Sequence, residues 1–312
     1  MQEFYSRNSK MDVMIQTLCT KICRELVRKY SDIEFTDDAN IVETMYDIFL
    51  EKDKTFIILI DEWDCIFREP ECPEEEWKKY LDFLRNWMKD KPYISLAYMT
   101  GILPIKKYGN HSALNMFTEY SMTNPKKMAP YMGFTDVEVK ALCEKYKMDY
   151  EEVHTWYDGY SFEGISSVYS PKSVVECLSS RIFDNYWNQT ETFEALKVYI
   201  QMNYDGLKDK VVEMIAGNRV KINTGSFTND MQTFHRTDDV LTLLIHLGYL
   251  ANDFEKKHVY IPNKEISHEF LNAVAVIGWN ELMLAISDSE RLLNSLWNED
   301  EAAVASGIEK FP

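Results

Sequence analysis

Phe56-Ile57-Ile58-Leu59-Ile60-Asp61-Glu62 sets the fold class of this chain. Its apolar run contains three β-branched isoleucines and passes without a polar break into two acids. A continuous run of this kind reads as a strand buried on both faces, as in a parallel sheet covered by helices. Upstream, apolar residues at 11, 14, 15, 18, 19, 22, 23 and 26 predict an amphipathic helix from Met11 to Val27. The mostly polar stretch Ser31 to Asn40 breaks that pattern, and Ile41 to Leu50 predicts a second, shorter helix.

Downstream, Pro73 is followed by three glutamates, which suit the positive end of a helix. The helix it opens would bury Trp77, Tyr80, Leu81, Leu84, Trp87 and Met88. Pro92 stops it, and Tyr93 to Met99 predicts a second apolar strand ending at Thr100-Gly101. Strand, helix, strand is a βαβ unit, so the two strands should be parallel neighbours or near neighbours.

From about residue 124 the chain changes to short helices. Thr135 to Glu138 is a capping box for a helix through about Lys147. Further helices are expected at about 150–157, after Ser170-Pro171, and at about 191–202 and 206–216. Thr237-Asp238-Asp239 caps a helix through Leu247, closed by Gly248. Tyr249 to Ala251 and His258 to Ile261 read as two strands joined by a turn, with another helix from about Asn263. Helix, hairpin, helix is the outline of a winged-helix unit. After Gly278 the chain reads as mostly helical.

With 312 residues, 46% of them hydrophobic and 13% aromatic, the chain can bury a sizeable core. The 51 acidic residues outnumber the 34 basic ones, for a net charge of −17. That balance repels phosphate backbones and disfavours broad nucleic-acid binding. No apolar stretch approaches the roughly 20 residues that span a bilayer, and no signal-peptide core opens the chain. The six cysteines form no C-x-x-C motif. Cys19 and Cys23 stand four residues apart on a helical apolar stripe, which reads as core packing. Reduced cysteines and the lack of a signal point to the cytoplasm, with no membrane association.

The acids after the strand carry the sharpest chemical signal. At the C-terminal edge of a buried strand, an aspartate such as Asp61 can help to hold Mg²⁺, usually through water. A glutamate next to it, here Glu62, can orient and polarise an attacking water. The alternative is a strand ending in a solvated acidic turn. Thr100 would lie near Asp61 on the same sheet edge, where open α/β sheets bind ligands. Its hydroxyl suits a sensor of a γ-phosphate or of the attacking water; the alternative is a plain strand-terminal turn. Trp156 to Phe162 packs four aromatics around Gly159 and reads first as a corner of the core; the alternative is a nucleotide or partner contact.

Taken in order, these segments resemble the predicted AAA-ATPase-like family, whose members often carry a PD-(D/E)XK-type nuclease domain. The resemblance rests on Ile60-Asp61-Glu62-Trp63-Asp64, Thr100-Gly101-Ile102, Gly133-Phe134-Thr135, Trp156-Tyr157-Asp158-Gly159-Tyr160, Val168-Tyr169-Ser170-Pro171, Tyr186-Trp187, Gly248-Tyr249-Leu250 and Ile261-Pro262-Asn263. It covers about residues 40 to 275. It implies an α/β chain with a partial P-loop NTPase-type parallel sheet over 1–123, a helical lid over 124–200, and a winged-helix-like α+β segment with C-terminal helices over 201–312. It also implies ATP and Mg²⁺ as ligands, with Asp61 at the metal and Glu62 and Thr100 in catalysis. Trp63 stands where the family usually has tyrosine.

The departure lies at the phosphate-binding end. Family members carry a glycine-rich loop ending in Gly-Lys-Ser or Gly-Lys-Thr. This sequence has no Gly-Lys pair, and its first glycine is Gly101. The expectation is therefore a fragment or degenerate copy of an ATPase that does not hydrolyse ATP measurably by itself. A second expectation is a non-catalytic interaction or regulatory module that binds a protein partner. A third is DNA binding through the winged-helix-like segment, supported only by Lys256, Lys257 and His258 and opposed by the net charge.

Overall fold

The structure is a computed structural model and describes residues 10–68, 72–105, 107–108, 111–112, 114–187, 200–201, 204–227, 234, 236–277 and 279–308. In the first unit, which extends to Ser121, helix α1 (Met11–Lys29) buries Met11, Met14, Leu18 and Cys23 along one stripe. Helix α2 (Ile41–Lys52) is capped by Asn40, whose side chain accepts from the Val42 amide at 3.0 Å. Strand β1 (Phe56–Ile60) follows, and then helix α3 (Glu74–Met88), which buries all six residues of the expected apolar face. The Glu76 carboxylate accepts from the Met11 amide at 2.9 Å, tying α3 to the start of α1.

Strand β2 (Ile94–Met99) pairs with β1 in parallel, the arrangement a βαβ unit requires. A bulge near the start of the ladder skips Ser95, whose hydroxyl instead donates to the Phe56 carbonyl at 3.1 Å. Beyond it, Ile57 stands beside Leu96, Leu59 beside Tyr98, and Ile60 beside Met99. The expectation that β1 is buried on both faces is not met. Ile58 and Ile60 are buried, but Ile57 is 63% exposed, Leu59 73%, Leu96 52% and Tyr98 49%. Successive side chains of a strand alternate between faces, so one face of this two-stranded sheet is covered and the other is bare. A short antiparallel ladder, β3 (Lys107–Tyr108) with β4 (His111–Ser112), lies further along the chain.

The second unit spans Met122–Ser226 and continues from Arg236. It holds a three-stranded antiparallel sheet missing from the sequence reading, in the order β5 (Phe134–Thr135), β7 (Ile165–Tyr169), β6 (Tyr160–Phe162). Around it lie helices α4 (Asp136–Tyr146), α5 (Tyr150–Tyr157) and α6 (Pro171–Ser180). Their starts follow the expected capping chemistry. Glu138 reaches back to the Thr135 amide and hydroxyl, both at 2.8 Å, and Asp149 accepts from the Glu151 amide at 2.8 Å.

Most of the helix expected at about 191–202 falls outside the described residues, while the next is α7 (Leu207–Ile215). A second three-stranded antiparallel sheet has the order β8 (Val220–Lys221), β10 (His258–Tyr260), β9 (Ala251–Asp253). Helix α8 (Thr237–His246) comes between β8 and β9 in sequence, and helices α9 (Lys264–Ile277), α10 (Asn280–Trp297) and α11 (Glu301–Ile308) follow. The strand expected at Tyr249–Ala251 begins two residues later, because Tyr249 and Leu250 are spent on the turn that ends α8. Both of their amides bond back to the Leu244 carbonyl.

The protein is thus mixed α/β. None of the six cysteines forms a disulfide. Among the described residues, no helix is long and apolar enough to cross a membrane.

Candidate functional site

The site is built where β1 and β2 end side by side. The ladder is prolonged past the strands: the Thr100 amide donates to the Ile60 carbonyl at 2.9 Å, and the Trp63 amide donates to the Thr100 carbonyl at 3.0 Å. These two bonds hold Asp61 and Thr100 at one edge. There the Thr100 hydroxyl donates to Asp61 Oδ1 in a short hydrogen bond. The Glu62 amide donates to the same oxygen at 3.0 Å. Asp61 is exposed and Glu62 half-buried, so the pair stands on a rigid edge that solvent reaches.

Glu62 has a φ of +51°, in the left-handed region. That conformation costs an L-residue about 1–2 kcal/mol, and such strain gathers at functional sites. Its effect here is to turn the chain sharply, so that Trp63 and Asp64 point inward while Asp61 faces out. Trp63 and Asp64 are both buried.

An aromatic floor supports the turn. The ring of Trp63 lies 5.3 Å from that of Phe67, and Phe67 in turn lies 5.6 Å from Trp77 and 6.2 Å from Tyr80. The Tyr80 hydroxyl donates to the Trp63 carbonyl at 3.0 Å. Burial, with the nearby Cys65 and Asp64, pushes that hydroxyl well above its ordinary range, so it remains a donor.

Asp64 is the site residue to which the sequence reading gave no role. It lies in a turn after a strand, where an acid is normally taken to be solvated, yet its side chain is fully buried. Its Oδ2 accepts from the backbone amides of Ile102 at 3.0 Å and Leu103 at 2.7 Å. The signal available was the apolar company it keeps in sequence, with Trp63 before it and Cys65-Ile66-Phe67 after it.

The other family-like segments belong to the second unit, where several of them interlock. Gly159 adopts a φ of +121°, and a Cβ there would stand 1.9 Å from the Pro262 carbonyl oxygen. The Tyr260 hydroxyl donates to the Gly159 carbonyl at 3.0 Å, and the Tyr160 hydroxyl to the Gly248 carbonyl. The amides of Tyr186 and Trp187 both donate to Glu265 Oε1, at 2.8 and 3.0 Å. Trp156-Tyr157-Asp158-Gly159-Tyr160, Tyr186-Trp187, Gly248-Tyr249 and Ile261-Pro262-Asn263 are therefore core corners.

Among the described residues, no group of three or more His, Cys, Asp and Glu side chains is placed to hold a metal ion. One exposed carboxylate beside a hydroxyl nevertheless matches the way Mg²⁺ is usually held, by one or two carboxylates plus water and phosphate oxygens. Asp61 and Thr100 fit that limited role.

In comparison with known proteins, an uncharacterized protein from the vnfD 5′ region of Azotobacter chroococcum mcd 1 is 28% identical over 142 residues. The match takes in 44% of this chain and 27% of that protein, so the chain spans about a quarter of its relative's length. No family model matches the sequence. No solved structure matches it either.

Proposed function

We propose that this chain carries the acidic half of an ATP–Mg²⁺ site of the AAA-ATPase-like kind, and that it does not turn over ATP by itself. The observation that carries this reading is the Thr100 hydroxyl bonded to Asp61 Oδ1 across the ends of two parallel strands. Asp61 would hold the metal, largely through water, and Thr100 would fix the carboxylate's rotamer and offer its hydroxyl to a phosphate oxygen. Glu62, held in a strained turn at the same edge, would orient a water for attack. Bound Mg²⁺ supplies charge neutralisation of the phosphate oxygens.

What is missing is chemical as well as geometric. The sequence contains no Gly-Lys pair, so no loop of the Gly-Lys-Ser/Thr type can cradle the β- and γ-phosphates. Without that loop, little positions or neutralises the triphosphate. Calorimetric titration with ATP tests this directly. Weak binding and no measurable turnover are expected; tight, Mg²⁺-dependent affinity overturns the reading.

The bare sheet face supports a second reading, a non-catalytic interaction module. Exposed apolar patches on soluble domains often mark protein contacts, and Ile57, Leu59, Leu96 and Tyr98 form one beside the Asp61 edge. The P-loop-type core, the helical lid and the winged-helix-like segment belong to the first reading. DNA binding is the least supported. Helix α8, which would enter a groove, is buried at Thr237, at Asp239 and at every residue from Val240 to His246.

A further inference from the structure

The Asp61–Thr100 edge depends on a loop that the strands themselves do not fix. Thr100 is the last residue held by the β1–β2 ladder, and Gly101-Ile102-Leu103 leads away from it. A two-stranded sheet gives such a loop one neighbour, so its position must come from elsewhere. The structure assigns that task to Asp64: we propose that Asp64 is a positioning residue that holds Thr100 against Asp61 through the backbone of residues 101–103. The functional part of the inference rests on the nucleotide-site reading above; the geometric part does not.

Three observations converge. First, Asp64 is a fully buried acid whose Oδ2 gathers two successive amides, those of Ile102 and Leu103. Hydrogen bonds to a carboxylate are roughly twice as strong as neutral ones, and more so away from water. Second, the chain passes so close that only glycine fits. A Cβ on Gly101 would stand 2.6 Å from Asp64 Oδ1 and 2.7 Å from the Trp63 ring. Third, the element carrying Asp64 is itself anchored. The Trp63 amide donates to the Thr100 carbonyl, and the Trp63 carbonyl accepts from Tyr80 on α3.

The loops after β1 and β2 are therefore clamped at two points. The Trp63 amide holds Thr100, and Asp64 holds the amides of Ile102 and Leu103. Between them the Thr100 side chain is left facing Asp61 Oδ1. Loss of Asp64 should release residues 101–103 and, with them, the rotation of Thr100 about its hydrogen bond.

Methyl NMR on the full chain, labelled at threonine, reads this without any ligand. In the parent, the vicinal couplings of the Thr100 methyl should report a single side-chain rotamer, the one that faces Asp61. In Asp64→Ala those couplings should average over rotamers, and the Ile102 and Leu103 amides should exchange with solvent more than about tenfold faster. Asp64→Asn keeps an oxygen that can accept from both amides, so it should retain the single rotamer. A folded Asp64→Ala protein whose Thr100 couplings match the parent overturns the proposal. Should Asp64→Ala fail to fold, Gly101→Ala decides, since its Cβ must displace the Asp64 carboxylate. Averaged Thr100 couplings then support the clamp, and parent-like couplings overturn it. Failure of the nucleotide reading is distinguishable: Mn²⁺ with ATP would leave the parent's Thr100 methyl unbroadened while the single rotamer was still lost in Asp64→Ala.

Discussion

Thr100 donates its hydroxyl to the carboxylate of Asp61 across the ends of two parallel strands. The two residues are separated by helix α3 in sequence and are brought to one edge by the βαβ crossover. The Glu62 amide shares the same Asp61 oxygen, so the aspartate is held in one rotamer by a side chain and a backbone group at once.

Replacing Thr100 by valine keeps the shape and removes the donor. Because the pair faces solvent, stability should change by less than about 1 kcal/mol. What should change is the order of Asp61. Thermal melting of Thr100→Val should match the parent, while its Asp61 side-chain resonances should lose their single-rotamer couplings. A variant that melts far below the parent would make the pair a structural bond rather than a poised site.

Gly159→Ala tests the corner of the second unit. The new Cβ would meet a backbone oxygen 1.9 Å away, and the φ of +121° is one that alanine rarely adopts. No flexible side chain stands there to move aside. The expected loss is more than about 3 kcal/mol, read as a lower urea midpoint for the full chain. A shift equivalent to under about 1 kcal/mol would contradict the packing described.

Glu265 predicts a pH dependence. Burial, opposed in part by hydrogen bonds from Ser173 and from the Tyr186 and Trp187 amides, raises its carboxyl above the ordinary value of 4.5, and nearby Glu269 adds to the rise. The folded chain therefore binds this proton more tightly than the unfolded chain does. Its contribution to stability is complete below pH 4.5 and is lost as pH rises from there through the raised value. Glu265→Gln should flatten that decline while its amide oxygen keeps the two backbone bonds. Urea midpoints measured from pH 4.5 upward should converge at the acid end and diverge above it. Parallel curves would count against the assignment.

Leu59→Lys probes the bare face. At 73% exposure the side chain contributes little to the core, so stability should stay within about 0.5 kcal/mol of the parent. Any self-association driven by the patch should weaken, which sedimentation velocity would record. Unfolding of this variant would mean that the face is covered in solution.

Much of this architecture is legible in the sequence where side-chain period and backbone chemistry agree. The α3 stripe from Trp77 to Met88 is read correctly because its apolar residues follow the helical period and Pro73 and Pro92 bound it. The parallel pairing of β1 and β2 follows from the crossover rule. The bare face was not legible, because an unbroken apolar run has no alternation to tell one covered face from two. Strands β5, β6 and β7 were missed because they are two to five residues long and lie among capping and turn signals that favour helices. Asp61 and Thr100 were placed at one edge by topology. Asp64 was not found because a buried acid reads in sequence like an exposed one; only its two amide partners, some forty residues away, reveal it.

Under the proposed function, the Asp61–Thr100 edge receives a metal-bound triphosphate but cannot hold it tightly. Paramagnetic broadening of the Thr100 methyl by Mn²⁺ with ATP measures both parts at once. Broadening is expected in the parent chain only at about millimolar Mn²⁺–ATP, and none in Asp61→Asn. No broadening in the parent, or equal broadening in both proteins, would contradict a metal site at Asp61; saturation at micromolar concentration would contradict its being half a site.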